Sequence, residues 1–346
     1  MFLRNCWYAA GWSSELAPGS MVARRFLSEA VVLFRTHDGT AGALEDRCCH
    51  RAMPLSGGHV DGNILRCAYH GLEFDVTGTC TRIPSQDRIP QKARVHSYPI
   101  HERDALIWIW MGEQDRADIS RIPRQPQHQD SNWGWKPAHY HVGGNWQLLI
   151  DNLMDLSHLP YIHPNTIGGN PEIHFRAKME TKRTENGVFV QRHMPNSEPP
   201  PTYVAAKGFQ GRIDRWQEIE FQPTVIRIHT GGCDVGTGAY NGKRDHGFSM
   251  LGFHGITPET ETTTHYFWSM ATNVFRDGIL DIVFDQTAST FREDQNVLEL
   301  QQLRVNEAPL RPMLDISSDA GANLARRQIQ HLIEAEQSPS TDAVAG

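Results

Sequence analysis

Two short pairs of metal-binding side chains constrain this chain more than any other feature. The first pair is Cys48-x-His50, and the second, sixteen residues later, is Cys67-x-x-His70. Proline and glycine within residues 53–58 favour tight loops between the pairs. Each pair offers one thiol and one imidazole, so the chain must fold to bring two loops to a common centre.

Two thiolates and two imidazoles fit a Rieske [2Fe–2S] centre, in which two histidines replace two cysteines on one iron. The alternative is a structural zinc site. Zinc fingers usually pair cysteine with cysteine and histidine with histidine, whereas both pairs here are mixed. The pattern therefore favours the Rieske cluster and predicts an electron-transfer protein.

Composition excludes several classes of function. A net charge of -7 gives no electrostatic support for binding nucleic acid or an anionic membrane. No apolar run approaches the roughly 20 residues of a membrane span, and the start of the chain lacks a signal-peptide pattern. The six cysteines show no disulfide framework, which favours a reducing cytoplasm.

The length of 346 residues suggests two domains. Residues 1–115 are rich in strand and turn signals, and residues 116–337 mix helix and strand patterns, so we expect an α+β protein. Residues 338–346 are small and predict a disordered tail. The chain has no glycine-rich nucleotide fingerprint, so its electrons must come from a separate protein. The predicted helices cover residues 145–161, 277–306 and 320–336.

A second metal motif lies on the first of these helices. His158 and His163 are five residues apart, which on a regular helix would separate them. Pro160 disfavours a regular helix there, so a bend could bring the two imidazoles together. Two histidines suit a mononuclear Fe(II) held by two imidazoles and one carboxylate, with open positions for oxygen. A cluster that delivers electrons needs such an acceptor.

The carboxylate must come from elsewhere in the chain. Asp294, on the long predicted helix, is the best candidate, and its neighbour Glu293 is the alternative. Asp294 lies three residues after Phe291, on the face that Thr287 and Ala288 also occupy. We therefore expect Asp294 to face inward.

Through these two metal motifs, the chain resembles the oxygenase component of Rieske non-haem iron oxygenases. Within them it is most similar to the branch of vanillate O-demethylase, dicamba O-demethylase and toluenesulfonate methyl-monooxygenase. Leu72 follows the His-Gly of the Rieske loop, where many members outside this branch have tryptophan. The resemblance covers nearly the whole chain and is carried by residues 4–8, 67–75, 102–110, 151–155 and 257–261.

The resemblance implies an N-terminal Rieske [2Fe–2S] β-domain and a C-terminal helix-grip (START-like) catalytic domain. It also implies a homotrimer and a separate NADH-dependent reductase carrying flavin and an iron–sulfur centre. By similarity, the Asp155 carboxylate links His158 to His70 of the partner subunit, and Asn152 supports the iron site. The alternative for Asp155 is a pair with His158 within the helix.

The implied activity is that of a monooxygenase, which uses O2 and reductase-supplied electrons to hydroxylate a methyl group of an anionic aromatic such as toluenesulfonate or toluate. A second interpretation is O-demethylation of a methoxybenzoate such as vanillate, with release of formaldehyde. A third, a ferredoxin without catalysis, leaves some 230 residues beyond the cluster domain unexplained.

The residues that bind substrate are assigned from weaker sequence similarity than the metal ligands are. His229 and His254 match positions that hold the substrate carboxylate in the dicamba branch. Arg227 is two residues from His229 in a predicted strand and so shares its face. These side chains favour an anionic aromatic substrate. The alternative is that Arg227 pairs with a neighbouring acid and that the histidines are merely half-buried.

Overall fold

The computed structural model describes residues 1–338, which form two compact units. The first unit comprises Met1–Arg124 and Thr257–Glu261, and the second comprises Gln125–Ile256 and the described part of Thr262–Gly346. Apart from Ser338, the predicted tail lies outside the described residues. No helix among the described residues is long and apolar enough to span a membrane.

The first unit is built from short antiparallel sheets. β-branched and aromatic runs form its central strands, and Val31–Phe34 are buried on both faces. The sheet orders are β1-β10-β9, β2-β3-β4 and β5-β6-β7-β8. The strands are β1 Trp7–Trp12, β2 Met21–Phe26, β3 Glu29–Arg35, β4 Ala41–Glu45, β5 His59–Asp61, β6 Ile64–Arg66, β7 Glu73–Phe74, β8 Cys80–Arg82, β9 Ile100–Arg103 and β10 Leu106–Trp110.

A short segment from late in the chain also belongs to this unit. The Leu27 N–H donates to the Pro258 carbonyl at 2.9 Å, and the Thr257 hydroxyl donates to the Ala9 carbonyl at 2.7 Å. These bonds join residues that are distant in sequence, and local patterns do not predict such contacts.

A seven-stranded sheet forms the frame of the second unit, in the order β11-β17-β16-β15-β14-β13-β12. Its strands are β11 Gly134–Val142, β12 Lys178–Arg183, β13 Val188–Ser197, β14 Ile213–Gln222, β15 Val225–Asp234, β16 Phe248–Pro258 and β17 Thr264–Thr272. The helices are α1 Trp146–Met154, α2 Leu159–Ile162, α3 Pro171–Phe175, α4 Pro201–Lys207, α5 Ile279–Glu307 and α6 Ala320–Gln337.

Helix α5 lies against one face of this sheet. Its buried residues recur every three or four positions and form one stripe, as expected for a helix that covers a core. Phe291 packs edge-on against Trp268 with ring centroids 4.8 Å apart, and the Tyr140 hydroxyl donates to the Ala288 carbonyl at 3.1 Å. The stripe continues to Asp294, which places a carboxylate against the sheet.

The helix predicted over residues 145–161 is interrupted. α1 ends at Met154, because Asp155 is extended (φ -124, ψ 101) and its carboxylate caps the next turn by accepting from the Ser157 N–H at 2.8 Å. Pro160 lies in the first turn of α2, where the missing N–H is not needed. The chain therefore changes direction at Asp155, and the prediction of a bend caused by Pro160 is wrong in its location.

Candidate active site

The first metal-binding loop closes through two backbone hydrogen bonds. The Cys48 N–H donates to the Met53 carbonyl at 2.8 Å, and the Ala52 N–H donates back to the Cys48 carbonyl at 3.0 Å. Ala52 has a positive φ of 57°, which is unusual for a residue with a side chain. The loop is therefore held tightly although it has little regular structure.

The second loop joins β6 to β7 and repeats this pattern. The Cys67 N–H donates to the Leu72 carbonyl at 2.9 Å, and the Gly71 N–H donates to the Cys67 carbonyl at 3.0 Å. Gly71 occupies the position of Ala52 and also has a positive φ, of 71°. Two loops of different sequence thus present their ligands from the same backbone shape.

The four predicted cluster ligands lie together. The thiols of Cys48 and Cys67 are buried, whereas His50 and His70 are exposed, with ring centroids 4.4 Å apart. Burial raises the pKa of the Cys48 thiol to about 11, so this cysteine needs a bound metal to become a thiolate at neutral pH. Two buried thiols and two exposed imidazoles are the donors that a Rieske cluster would take.

The second predicted site is also assembled. One Asp294 oxygen lies 3.1 Å from Nε2 of His163 and 3.5 Å from Nε2 of His158, and one ligand atom from each residue falls within 4.8 Å of the others. Burial raises the pKa of the Asp294 carboxyl, but hydrogen bonds to the two histidines outweigh it and hold that pKa well below its usual range. This donor set could hold a metal ion.

The other nitrogen of each imidazole is occupied. The His163 Nδ1–H donates to Glu293 at 2.6 Å, and the His158 Nδ1–H donates to the Asp155 backbone carbonyl at 2.6 Å. Because Nδ1 of each ring is held as a donor, Nε2 is the atom that a metal would bind, in place of its contact with Asp294. The predicted bond from His158 to the Asp155 carboxylate is absent here, because that carboxylate accepts from Ser157 instead.

Asn152 completes the surroundings of the triad. Its side-chain N–H donates to Asp294 at 3.0 Å, and its Oδ1 is buried with no hydrogen-bond partner among the described residues. An orphaned buried oxygen beside a carboxylate and two imidazoles fits a site that receives another group. Two imidazoles and one carboxylate are the donors expected for a mononuclear Fe(II).

His158 and Asp294 of the triad line a cavity between α5, the sheet and the α1–α2 segment. His254 lies in its wall with Nδ1 2.6 Å from the Tyr266 hydroxyl, and burial lowers the pKa of His254 to about 3, so the ring is neutral. The apolar part of the lining is Leu153, Leu156, Leu159, Ile167, Ile228, Met250, Met270 and Phe291.

Two of the three predicted substrate contacts lie elsewhere. Ile228 and Thr230 of β15 line the cavity, and side chains alternate along a strand, so Arg227 and His229 lie on the opposite face of the sheet. Arg227 pairs with Glu220, which is the alternative considered above, and His229 lies beside Glu218. The prediction that Arg227 and His229 contact substrate is therefore corrected.

The roles of three residues near the cavity were not predicted from the sequence. Glu293 was considered only as a rival ligand, whereas it orients His163. Arg215 and Gln217 project into the cavity from β14, a strand that was not predicted. Arg215 and Gln217 are buried polar residues, so they interrupt the apolar run by which a buried strand is predicted from sequence.

Comparison with known proteins agrees with this geometry. Residues 6–99 match the Rieske [2Fe-2S] domain, and residues 142–335 match the vanillate O-demethylase oxygenase C-terminal domain. The chain is 37% identical over 341 residues to the toluene-4-sulfonate monooxygenase system iron–sulfur subunit of Comamonas testosteroni, covering 97% of this chain and 98% of that one. It is 34% identical over 352 residues to the vanillate O-demethylase oxygenase subunit of Pseudomonas sp. strain HR199, covering 99% and 98%.

A solved structure extends the likeness to the fold. Dicamba monooxygenase with non-haem iron and dicamba superimposes with a TM-score of 0.81 at 31% identity, covering 97% of this chain and 98% of that one. The predicted family, two-part α+β fold, enzyme class and both iron cofactors are thereby confirmed. The chain belongs to the Rieske non-haem iron oxygenases, as the oxygenase component of a monooxygenase that uses a [2Fe–2S] cluster and a non-haem iron.

Proposed function

We propose that this oxygenase hydroxylates a methyl group on an aromatic acid such as 4-methylbenzenesulfonate or 4-methylbenzoate. The observation that carries the proposal is the largely apolar cavity lined by His158 and Asp294, two members of the cluster that His163 completes. A wall lined mainly by apolar side chains suits the ring and methyl group of a small aromatic substrate. The toluene-4-sulfonate relative supports a sulfonate or carboxylate as the acid group.

The metal ligands follow from the two donor sets. Cys48, His50, Cys67 and His70 would hold the cluster, while the triad of His158, His163 and Asp294 would hold the iron. When bound, the cluster supplies single electrons and the iron supplies the centre at which O2 is activated.

The chain's own residues position the reactants. Glu293 and the Asp155 carbonyl fix both imidazole rings, and Asn152 steadies Asp294. The leucines of the α1–α2 segment would hold the aromatic ring and exclude water, which keeps the methyl group in place during the reaction. The neutral ring of His254 offers a hydrogen bond without adding charge to the wall.

The electron path involves other chains. In a homotrimer, Asp155 would connect the iron site to His70 of the partner subunit, as the family resemblance implies. A separate NADH-dependent reductase with flavin and an iron–sulfur centre would supply the electrons. The similarity to the iron–sulfur subunit of a monooxygenase system supports such a partner.

O-demethylation is the second candidate. The chain is 34% identical to a vanillate O-demethylase oxygenase subunit and 32% identical to a dicamba O-demethylase oxygenase component. Hydroxylation of a methoxy carbon gives a hemiacetal, which breaks down to a phenol and formaldehyde. Both reactions use the same metal centres, so only the bound substrate separates them.

A single turnover distinguishes the two candidates without a reductase. Anaerobically reduced, iron-loaded protein is mixed with 4-methylbenzenesulfonate, 4-methylbenzoate and vanillate, exposed to O2, and analysed by mass spectrometry. We expect a hydroxymethyl product. A phenol with formaldehyde would establish the demethylase instead, and the absence of product from all three would refute an aromatic acid of this size as substrate.

A further inference from the structure

We infer that Arg215 forms an anion-binding subsite in the cavity and holds the sulfonate or carboxylate of the substrate. This inference rests on the proposed function and names the residue that selects its substrate class. It replaces Arg227, which lies on the opposite face of the same sheet.

The position of Arg215 is set by strand geometry. Arg215 and Gln217 alternate with Trp216 along β14, and both project from the face that lines the cavity. Gln217 lies directly opposite Thr230 of β15, which also lines the cavity. Arg215 therefore borders the cavity from a strand of the sheet rather than from a loop.

The guanidinium is buried and only partly satisfied. Arg215 is 2% exposed, and its Nη atoms donate to the carbonyls of Ile167 at 2.7 Å and Gly168 at 3.1 Å. Its Nε has no hydrogen-bond partner among the described residues, and no carboxylate in the described chain forms an ion pair with it. Arginine has five N–H donors, and Nη1 also lies 3.4 Å from Nε2 of His174, so the Nε–H and one Nη2–H remain for a ligand.

A second buried cation lies near Arg215, whose own guanidinium lies over the Tyr203 ring with Cζ 5.3 Å from the ring centroid. Arg192, on the adjacent strand β13, is also buried and donates to Gln217 at 3.2 Å. Burial and the charge of Arg215 lower the pKa of His174 to about 3, so this neighbouring ring is neutral. An unpaired buried cation is unfavourable, and an anionic ligand would remove that cost.

The competing role for Arg215 is purely structural. The Gly168 N–H donates to the His163 carbonyl at 3.0 Å, so the carbonyls that Arg215 holds belong to the loop following an iron ligand. A residue that only fixed this loop would affect charged and uncharged ligands equally. A residue that binds the acid group would affect the charged ligand alone, and this difference makes the two roles separable.

The experiment compares two nearly isosteric ligands on anaerobic, iron-loaded protein. Isothermal titration calorimetry measures the dissociation constants of 4-methylbenzenesulfonate and uncharged 4-methylbenzenesulfonamide for wild type, Arg215→Gln and Arg215→Lys. Arg227→Gln is the matched control, because it removes a guanidinium from the other face of the sheet. The visible spectrum of the cluster and the circular dichroism of each variant establish that it is folded.

For Arg215→Gln we expect sulfonate binding to weaken about tenfold to a hundredfold, with sulfonamide binding nearly unchanged. Arg215→Lys should recover part of the loss, and Arg227→Gln should match wild type. Equal weakening of both ligands would show that Arg215 only supports the loop, and unchanged binding would also overturn the inference. After equal weakening of both ligands, or after unchanged binding, a single turnover that still hydroxylated the sulfonate would leave the proposed function in place without this subsite. A wild type that bound only the sulfonamide would refute both.

Discussion

Glu293 and Asp294 are adjacent in the chain but contact opposite edges of the same imidazole. Asp294 is buried against Nε2 of His163, whereas Glu293 is 42% exposed and accepts from Nδ1. The helical pattern identified the inward residue correctly, because a stripe of buried positions determines which side chain faces the core. It could not show that the longer Glu293 side chain reaches around the ring, since side-chain reach depends on the rotamer and on the partner's position.

The contact between Glu293 and His163 leads to a prediction at the residue scale. Glu293→Ala should weaken iron binding about tenfold to a hundredfold, because His163 loses the group that orients its ring. Glu293→Gln keeps an acceptor oxygen and should recover much of the affinity. Competition with a coloured chelator measures the change, and Glu307→Ala, an exposed position on the same helix that pairs with Arg304, is the control. Equal affinities in all four proteins would contradict this role.

At the scale of elements, the interruption between α1 and α2 determines where the iron ligands lie. Asp155 ends one helix and caps the next turn, and this change of direction brings the rings of His158 and His163 to a centroid distance of 5.5 Å. The sequence indicated that a regular helix could not join these histidines. It located the break at Pro160 because proline is the stronger helix-breaking residue, whereas the capping role of Asp155 depends on its contact with Ser157.

Asp155→Asn tests the electron-transfer role that the family resemblance assigns to this residue. The amide oxygen can still accept from the Ser157 N–H, so the turn and both metals should be retained. Loss of the negative charge should slow electron transfer from the cluster to the iron severely, measured by stopped-flow reoxidation of the reduced cluster. Glu172→Gln, an exposed change in α3, is the control. Reoxidation at the wild-type rate in Asp155→Asn would exclude the role.

The faces of β15 show a second limit at this scale. The sequence correctly indicated that Arg227 and His229 share a face, because that follows from the two-residue repeat of a strand. It could not say which face meets the cavity, since both faces of this strand carry buried residues. Only pairing with neighbouring strands and the position of α5 resolve the question.

At the scale of the whole molecule, the fold class and both iron cofactors were predictable, because specific ligand motifs and a family resemblance indicate them. The cavity was not, since its wall combines residues from α1, β14, β15, β16 and α5. The sequence likewise did not predict that Thr257–Glu261 belongs to the first unit. Such features depend on contacts between distant segments, which local periodicity does not record.

Burial of His254 predicts how stability depends on pH. The pKa of His254 is about 3 in the folded chain, against an ordinary value of 6.5. Between these pH values the unfolded chain therefore binds a proton at this residue and the folded chain does not. Stability should therefore fall by about 1.4 kcal/mol for each pH unit below 6.5 from this residue alone. His254→Gln should reduce this slope in urea unfolding, whereas His331→Gln, exposed on α6, should not. Identical slopes in wild type and His254→Gln would contradict the prediction.

The central claim is that oxidation takes place at His158, His163 and Asp294, apart from the cluster. The most direct test is single turnover of 4-methylbenzenesulfonate by reduced, iron-loaded wild type, His158→Ala and Asp294→Ala, with the cluster's visible spectrum recorded for each. We predict that both variants keep the spectrum of the cluster and yield no product. Product formation by either variant at the wild-type yield would contradict the assignment of the iron site.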